Sequence, residues 1–356
     1  MSAPLVPTVA LAPGYVIPRI IKGGWQLAGG HGAVEDAAAM ADMFAYAEAG
    51  ITAFDCADIY TGVEERIGAF LRAWWARHGE TAPRIRVHTK CVPDLDTLPT
   101  LTRADLARTI DRSRARLGVE TLDLVQVHWW DYAVPGMEEA LHHLDALRRE
   151  GKIAQLGLTN TDTPHLRAFL DAGIPIVSHQ VQLSLLDRRP LGAMATLCRE
   201  RGVSLLCYGA LAGGFFHERW LGASEPADPL ENRSLVKYKL IIDECGGWDR
   251  FQALLALLAR LAEPRGATIG AVAIRAVLDE PAVGAVIAGA RHARHLAATV
   301  AACTMAPFTT AERGALDALL AEAPGPAGDV YTLERDRTGR HGAIMRYNLN
   351  AGRQAS

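Results

Sequence analysis

The stretch LDLVQVHWWDYAVPGMEEALHHLDALRREGKIAQLGL, residues 122–158, contains the unit that decides the fold. Its two ends, residues 122–128 and 153–158, are short apolar runs typical of buried strands. Between them, residues 137–150 have the period and composition of a helix, and Gly151 follows where a helix C-cap is expected. The stretch therefore predicts a strand, a helix and a second, parallel strand.

The same pattern continues in both directions along the chain. Further strands are predicted at residues 20–25, 51–56, 85–90, 176–182, 203–208 and 283–288. Further helices are predicted at residues 35–48, 63–78, 103–117, 164–170 and 190–201. Eight such units fit the usual size of a (β/α)8 TIM barrel. No G-x-G-x-x-G follows a strand, which counts against the alternative, a doubly wound Rossmann sheet. The fold class predicted is α/β, a closed barrel.

Two segments interrupt the pattern. Residues 217–251, after the seventh strand, form a long polar insertion on the face where barrel active sites lie. This insertion could be a lid, or a loop that only packs against the barrel wall. After a last helix at 310–321, residues 322–356 form a C-terminal extension with a charged tail. We expect one domain over residues 1–356, with the barrel core at about 20–305.

Composition excludes several classes of function. The formal net charge of −3, from 37 Lys and Arg against 40 Asp and Glu, gives no field that favours nucleic acid or an anionic membrane. No apolar run approaches the roughly 18 to 20 residues of a membrane span. The proline-rich start has no basic region, which argues against a signal peptide. Six scattered cysteines without a C-x-x-C pair indicate neither a disulfide framework nor a structural metal. We expect a cytoplasmic protein, monomeric or homo-oligomeric.

Four polar residues stand at or just after consecutive predicted strands: Asp55, Tyr60, Lys90 and His128. Because strand ends converge on one face of a barrel, we expect them side by side. A neighbouring ammonium lowers the pKa of a phenol, a carboxylate can hold that ammonium, and an imidazole can bind a substrate oxygen. Each residue alone has a structural explanation, as a helix cap, an exposed charge or a core histidine. Together they predict a tuned proton donor for carbonyl chemistry.

These residues carry a resemblance to a known family. Asp55-Cys-Ala-Asp-Ile-Tyr60, followed by Gly62 and Glu64, resembles the D-x-A-x-x-Y-G-x-x-E signature of the aldo-keto reductases. Thr89-Lys90 and Val127-His128 match the family's next two catalytic positions. The resemblance covers residues 20–300 and implies hydride transfer between a nicotinamide cofactor and an aldehyde or ketone, in either direction. Tyr60 would be the general acid in reduction and the base in oxidation.

The resemblance also implies a cofactor site. Thr159, Asn160 and Gln180 would bind the nicotinamide carboxamide, and Tyr208 would stack on its ring. Residues 209–213 would cover the pyrophosphate, and residues 287–291 would approach the adenosine phosphate. The full set implied is Gly24, Trp25, Thr159, Asn160, Gln180, Tyr208, Gly209, Leu211, Gly213, Gly289, Arg291 and His295. Thr61, Thr159 and Gly209 depart from the usual residues, as do His295 and Thr299 at the adenine end. NADPH is expected, with Arg291 and Arg294 as candidate partners of its 2′-phosphate, and NADH is left open because of the departures at the adenine end.

The substrate is expected to be a small-molecule carbonyl compound or alcohol, bound against Trp25, Trp129 and Trp130. We expect no catalytic metal, because the 12 histidines form no convincing ligand set. Two alternatives stay open. One is a nucleotide-binding barrel with a regulatory or redox-sensing role and weak turnover. The other is a Schiff-base aldolase that uses Lys90 as nucleophile.

Overall fold

Eight parallel strands close into a barrel in the computed structural model, which describes residues 6–29, 32, 34–227, 229–289 and 292–350. With the two strands of a separate hairpin, β1 and β2, the strands of the described residues are β1 (Thr8–Ala12), β2 (Tyr15–Pro18), β3 (Ile20–Gly23), β4 (Ala53–Asp55), β5 (Arg86–Cys91), β6 (Leu122–Val127), β7 (Ile153–Thr159), β8 (Ile176–Gln182), β9 (Ser204–Tyr208) and β10 (Val283–Gly289). Strands β3 to β10 pair in chain order, and β10 pairs with β3 to complete the ring. The predicted (β/α)8 barrel is confirmed.

Helices connect the strands on the outside of the barrel, and further helices follow the last strand. They are α1 (Asp36–Glu48), α2 (Val63–His78), α3 (Arg103–Leu117), α4 (Met137–Arg149), α5 (Thr163–Asp171), α6 (Ala193–Arg201), α7 (Arg233–Glu244), α8 (Gly247–Ala262), α9 (Ile269–Leu278), α10 (Leu296–Thr304), α11 (Thr310–Ala321), α12 (Thr332–Arg335) and α13 (Arg340–Ala343). Helix α3 shows how local sequence sets their limits. It begins at a capping box of Thr102 and Asp105 and ends at Gly118 in the left-handed conformation.

The hairpin of β1 and β2 lies outside the repeating pattern and was not predicted. Its apolar side chains Leu11, Tyr15 and Ile17 are buried in a cluster with barrel-interior residues such as Ile21 and Leu124. The hairpin therefore covers the amino-terminal end of the barrel and leaves the carboxyl-terminal end for the site.

The long connection after β9 is confirmed, and it is more ordered than a polar loop. It contains α7, whose N-cap Asn232 accepts a hydrogen bond from the Leu235 backbone N–H, and it runs directly into α8. Within the described ranges, we find no helix with the length and apolar character to cross a membrane. The six cysteines are all buried and free.

Candidate active site

The four residues predicted to act together lie at the carboxyl-terminal end of neighbouring strands. Asp55 is the last residue of β4, and Tyr60 follows in a turn closed by its N–H to the carbonyl of Ala57 at 3.0 Å. Lys90 lies in β5, opposite Gln126 of β6. His128 directly follows β6. The parallel register of β4, β5 and β6 thus brings four chemically different groups to one end of the barrel.

A buried ion pair forms the centre of the site. Lys90 Nζ donates to Asp55 Oδ2 at 2.7 Å and to the carbonyl oxygen of Cys56 at 2.8 Å. The same ammonium lies 5.0 Å from the centroid of the Tyr60 ring. Both charged side chains are 6% exposed. Because removing charges from water is costly, this pair requires good geometry and further hydrogen bonds to persist.

Burial and the charges of the site together set the pKa values of Tyr60 and Lys90. Burial raises the pKa of Tyr60, and Lys90 acts against that rise. The predicted effect of Lys90 is therefore present, but burial outweighs it. Burial alone would lower the pKa of Lys90, but Asp55 and Tyr60 raise it above its ordinary value. Lys90 is consequently held as an ammonium, and Tyr60 as a neutral phenol near pH 7.

His128 is a neutral imidazole in this environment. Burial, followed by the charge of Arg335, lowers the pKa of His128 to about 3. Its Nδ1 lies 3.4 Å from the carbonyl oxygen of Thr159. Its Nε2 is buried and has no hydrogen-bond partner among the described residues. A buried ring nitrogen without a partner is unfavourable in a closed core but suits a site where a ligand supplies the partner.

Two of the three tryptophans predicted to line the pocket stand beside these groups. Trp25 contacts Tyr60 with ring centroids 5.1 Å apart, and Trp130 packs edge-on against His128 at 4.2 Å. Trp129 lies elsewhere: it is 1% exposed and its indole N–H donates to the carbonyl of Val134. Trp129 thus supports the segment after β6, and its contact with substrate stays a prediction.

The residues expected to hold a nicotinamide surround the same end of the barrel. The Tyr208 hydroxyl donates to Asn160 Oδ1 at 2.9 Å, and Asn160 adopts the left-handed conformation with φ of 58°. Lys237, from α7, lies 5.2 Å from the centroid of the Tyr208 ring. Thr159 pairs with Gln180 across β7 and β8. An aromatic ring together with amide and hydroxyl groups matches the flat ring and carboxamide of a nicotinamide.

Glycine positions in the predicted cofactor site are explained by close approach of the chain. The N–H of Gly24 donates to the Asp55 carbonyl at 2.8 Å, which leaves no room for a Cβ. Gly209 and Gly213 have φ of 86° and 65°, and a Cβ at either would collide with Tyr238 of α7. These glycines therefore let α7 pack against the loop after β9.

The remaining predicted cofactor residues lie on other segments of the chain. Leu211 is in the loop after β9, beside Gly270 of α9. A Cβ at Gly289 would collide with the Gln26 side chain, and His295 Nε2 accepts from Arg294 Nε at 3.0 Å. Arg291 lies outside the described residues.

The C-terminal extension folds back over the site. We refer to residues 329–350 as the C-terminal strap. At its start, the Asp329 carboxylate accepts from the Thr163 N–H at 2.8 Å. At its end, the Leu349 N–H donates to Asp94 Oδ1 at 2.9 Å. The strap therefore crosses from the loop after β7 to the loop after β5, above the central groups.

Three strap residues reach into the site. Tyr331, with φ of 61°, packs edge-on against His128 at 5.4 Å between ring centroids. Glu334 is fully buried and receives two hydrogen bonds from Arg189, at 3.0 and 3.1 Å. Arg335 donates to the carbonyl oxygens of Asn160 and Trp129. These contacts tie the strap to the barrel through long-range pairs.

Glu334→Ala should loosen the strap, because it breaks the buried pair with Arg189. Loss of a buried pair costs about 3 kcal/mol, so hydrogen exchange of amides in residues 329–350 should accelerate roughly a hundredfold. Arg337→Ala removes only an exposed pair with Asp131 and should change exchange little. Equal protection in the two variants would show that Glu334 does not fasten the strap.

Sequence reasoning missed Gln126, Arg189 and the three strap residues. Gln126 carried a detectable signal: it alternates with Leu124 and His128 on one face of β6, and a fully buried polar residue inside a strand needs partners. The strap residues have no periodic pattern, and their contacts span more than a hundred positions in sequence.

The profile of the Aldo/keto reductase family matches residues 19–321. L-glyceraldehyde 3-phosphate reductase of Escherichia coli (strain K12) is 26% identical over 322 residues, which cover 87% of this chain and 90% of that protein. Flagellar radial spoke protein 5 of Chlamydomonas reinhardtii is 29% identical over 263 residues, 63% of this chain; the match spans only about half of that protein, 49%.

Solved structures show the same architecture. The glycerol dehydrogenase of Gluconobacter oxydans superposes with a TM-score of 0.73 at 24% identity, over 92% of this chain and 98% of that one. At this identity the likeness establishes the fold alone, and the evidence for an oxidoreductase comes from the family match.

Proposed function

The chain belongs to the aldo/keto reductase family, and we propose that it is an NAD(P)H-dependent oxidoreductase that interconverts a carbonyl compound and an alcohol with Tyr60 as general acid and base. Family membership supports an oxidoreductase that uses a nicotinamide cofactor and acts on small-molecule carbonyl compounds. The observation that carries the proposal is Tyr60 beside the Lys90 and Asp55 pair, with the Lys90 ammonium 5.0 Å from the phenol ring.

The cofactor, when bound, supplies the hydride, and the protein supplies position and a proton. Tyr60 is proposed to donate its phenolic proton to the substrate oxygen in reduction and to accept it in oxidation. Lys90, fixed by Asp55, stabilises the negative charge left on the phenol oxygen. His128, which is neutral, is proposed to orient the substrate oxygen beside Tyr60 through its Nε2. Trp25, Trp130 and Tyr331 keep water from the reacting groups.

For the cofactor, we propose that Thr159, Asn160 and Gln180 hold the carboxamide and that Tyr208 packs on the ring. Residues 209–213 and the segment around Gly289 and His295 are proposed for the phosphates and adenosine. Preference for NADPH, with Arg291 or Arg294 bound to a 2′-phosphate, stays a prediction.

The test is direct. Purified protein is mixed with NADPH or NADH and a panel of small aldehydes, and loss of the reduced cofactor's absorbance is followed. Because a relative is named for L-glyceraldehyde 3-phosphate, the panel includes phosphorylated aldehydes with neutral ones of equal length. Turnover of at least one aldehyde is expected. Cofactor binding without turnover across the panel would favour the regulatory alternative.

The pH dependence should reflect the shifted groups. With the pKa of His128 lowered to about 3 and that of Tyr60 raised, both stay in their active forms for reduction across neutral pH. The kcat for reduction should therefore be flat from about pH 5 to 9, without a step near 6.5, the ordinary histidine value. Oxidation needs ionised Tyr60, so its kcat should rise about tenfold per pH unit.

The measurement is kcat in both directions across that range. A step near 6.5 in reduction that disappears in His128→Gln would contradict the neutral role of His128.

A further inference from the structure

Asp55 is held by more than its lysine. Its Oδ1 accepts a hydrogen bond from Gln180 Nε2 at 2.6 Å and a longer one from Gln126 Nε2 at 3.3 Å. Gln180 Nε2 also donates to Gln126 Oε1 at 3.2 Å. The two glutamines are 3% and 0% exposed, so water does not compete for these bonds. Asp55 therefore joins two groups: Lys90 on one oxygen and a pair of amides on the other.

One strand of the barrel separates the strands that carry the two glutamines. Gln126 is on β6 and Gln180 is on β8, and β7 lies between them in the barrel. Opposite Gln126, β7 carries Gly157, where a Cβ would lie 3.2 Å from Gln126 Cγ and 2.8 Å from Ser178 Oγ. Glycine at this position therefore leaves room for Gln126 on one neighbouring strand and Ser178 on the other.

The bonds fix which way each amide faces. Gln180 directs its Nε2 at two acceptors, Asp55 Oδ1 and Gln126 Oε1. Reversal of the Gln180 amide would place its oxygen against both acceptors, which is unfavourable in a buried site. Gln180 Oε1 is thereby held as the amide atom outside this network. Gln180 is also the residue proposed to bind the carboxamide, which has an N–H₂ group to donate.

We propose that Gln126 is a positioning residue that fixes the Gln180 amide and the Asp55 carboxylate relative to each other. It thereby links cofactor binding by Gln180 to the placement of the proton donor, Tyr60. The proposal rests on the proposed function. Gln126 does not contact substrate or cofactor: it acts through Gln180 on one side and through Asp55 and Lys90 on the other.

Gln126→Met is the first test, because methionine has a similar length and lacks the amide. Gln180 then loses an acceptor and can rotate, and Asp55 loses a donor. Because hydrogen bonds to charged groups are among the stronger ones, we expect a roughly tenfold weaker cofactor Kd and a roughly tenfold lower kcat. The aldehyde KM should change little, because the substrate wall is untouched.

Gln126→Glu is the second test and adds charge instead of removing a bond. A second carboxylate beside Asp55 places more negative charge near the Lys90 and Tyr60 pair, which disfavours ionised Tyr60. The alkaline limb of kcat for oxidation should move to higher pH, while reduction near pH 6 is affected less. An unchanged limb would show that Tyr60 does not respond to position 126, which contradicts the coupling through Asp55 and Lys90.

Ser178→Ala is the matched control. Ser178 is fully buried on β8, and its Oγ has no hydrogen-bond partner among the described residues. It should leave the cofactor Kd, kcat and the pH profile within about twofold of the unchanged protein.

The results distinguish a failure of the proposed function from a failure of the role proposed for Gln126. Absence of turnover in the unchanged protein counts against the proposed function, and cofactor Kd values still test the lock on Gln180. A Gln126→Met protein with cofactor Kd, kcat and pH profile equal to those of an active unchanged protein overturns the role of Gln126. If Gln126→Met lowers thermal stability, the pH profile of Gln126→Glu decides, since a folding defect does not shift that limb.

Discussion

Tyr60→Phe is expected to lower kcat for carbonyl reduction by about 1,000-fold, within the range that a positioned general acid contributes. The phenylalanine ring keeps the contacts with Trp25 and with the Lys90 ammonium, so the shape of the pocket is retained. The cofactor Kd should stay within about threefold, since the lost group acts only on the reacting oxygen. Steady-state kinetics and a fluorescence titration with NADPH measure the two quantities.

Tyr15→Phe is the matched control for this variant. Tyr15 is a buried tyrosine at the opposite end of the barrel, and its hydroxyl has no hydrogen-bond partner among the described residues. Its removal should leave kcat unchanged. A Tyr60→Phe protein with near full activity would remove Tyr60 from the acid role.

Lys90→Met is expected to have the second largest effect, on stability as well as on activity. It leaves the Asp55 carboxylate buried without its cation, which costs about 3 to 5 kcal/mol in the free energy of unfolding. The kcat should fall at least a hundredfold, because nothing then stabilises the charge on the phenol oxygen. Urea denaturation and steady-state kinetics check both.

The double variant Asp55→Asn with Lys90→Met separates the two effects. Removing both charges should restore much of the lost stability and none of the activity. Equal stability in the single and double variants would show that burial of an unpaired Asp55 is not the cause. The raised pKa of Lys90 argues against the aldolase alternative. A lysine that forms a Schiff base must be a neutral amine, whereas Asp55 and Tyr60 keep the pKa of Lys90 raised.

The barrel could be predicted because its information is local. Each strand and most helices carry their own periodicity and their own glycine stop, as α3 does between Thr102 and Gly118. The positions of Asp55, Lys90 and His128 follow from the strands that carry them, and the structure places all three at one end of the barrel. Their roles, and the single domain over the whole chain, stay predictions.

The strap and the hairpin could not be predicted, because their structure depends on distant contacts. Glu334 is held by a residue 145 positions earlier, and Arg335 by carbonyls 175 and 206 positions earlier. No local pattern in a charged tail indicates such partners. Residues 217–251, for which a lid and a packed loop are both left open by the sequence, contact a strap from the other end of the chain through Arg233 and Asp243.

The hydrogen bonds among Gln126, Gln180 and Asp55 could not be predicted from the sequence either. The resemblance implies a cofactor role for Gln180, and the structure adds that its Nε2 donates to Asp55. The two residues are 125 positions apart, and they meet only when β4 and β8 take their places in the closed barrel.

The most direct test of the central claim follows the hydrogen itself. NADPH and NADH deuterated at the transferring C4 position are incubated with the protein and an aldehyde found in the panel, and the alcohol is examined by mass spectrometry. We expect one deuterium on the former carbonyl carbon, and almost no labelled alcohol from Tyr60→Phe although that variant still binds the cofactor. Alcohol formed without deuterium, or formed equally well by Tyr60→Phe, would contradict hydride transfer with Tyr60 as the proton donor.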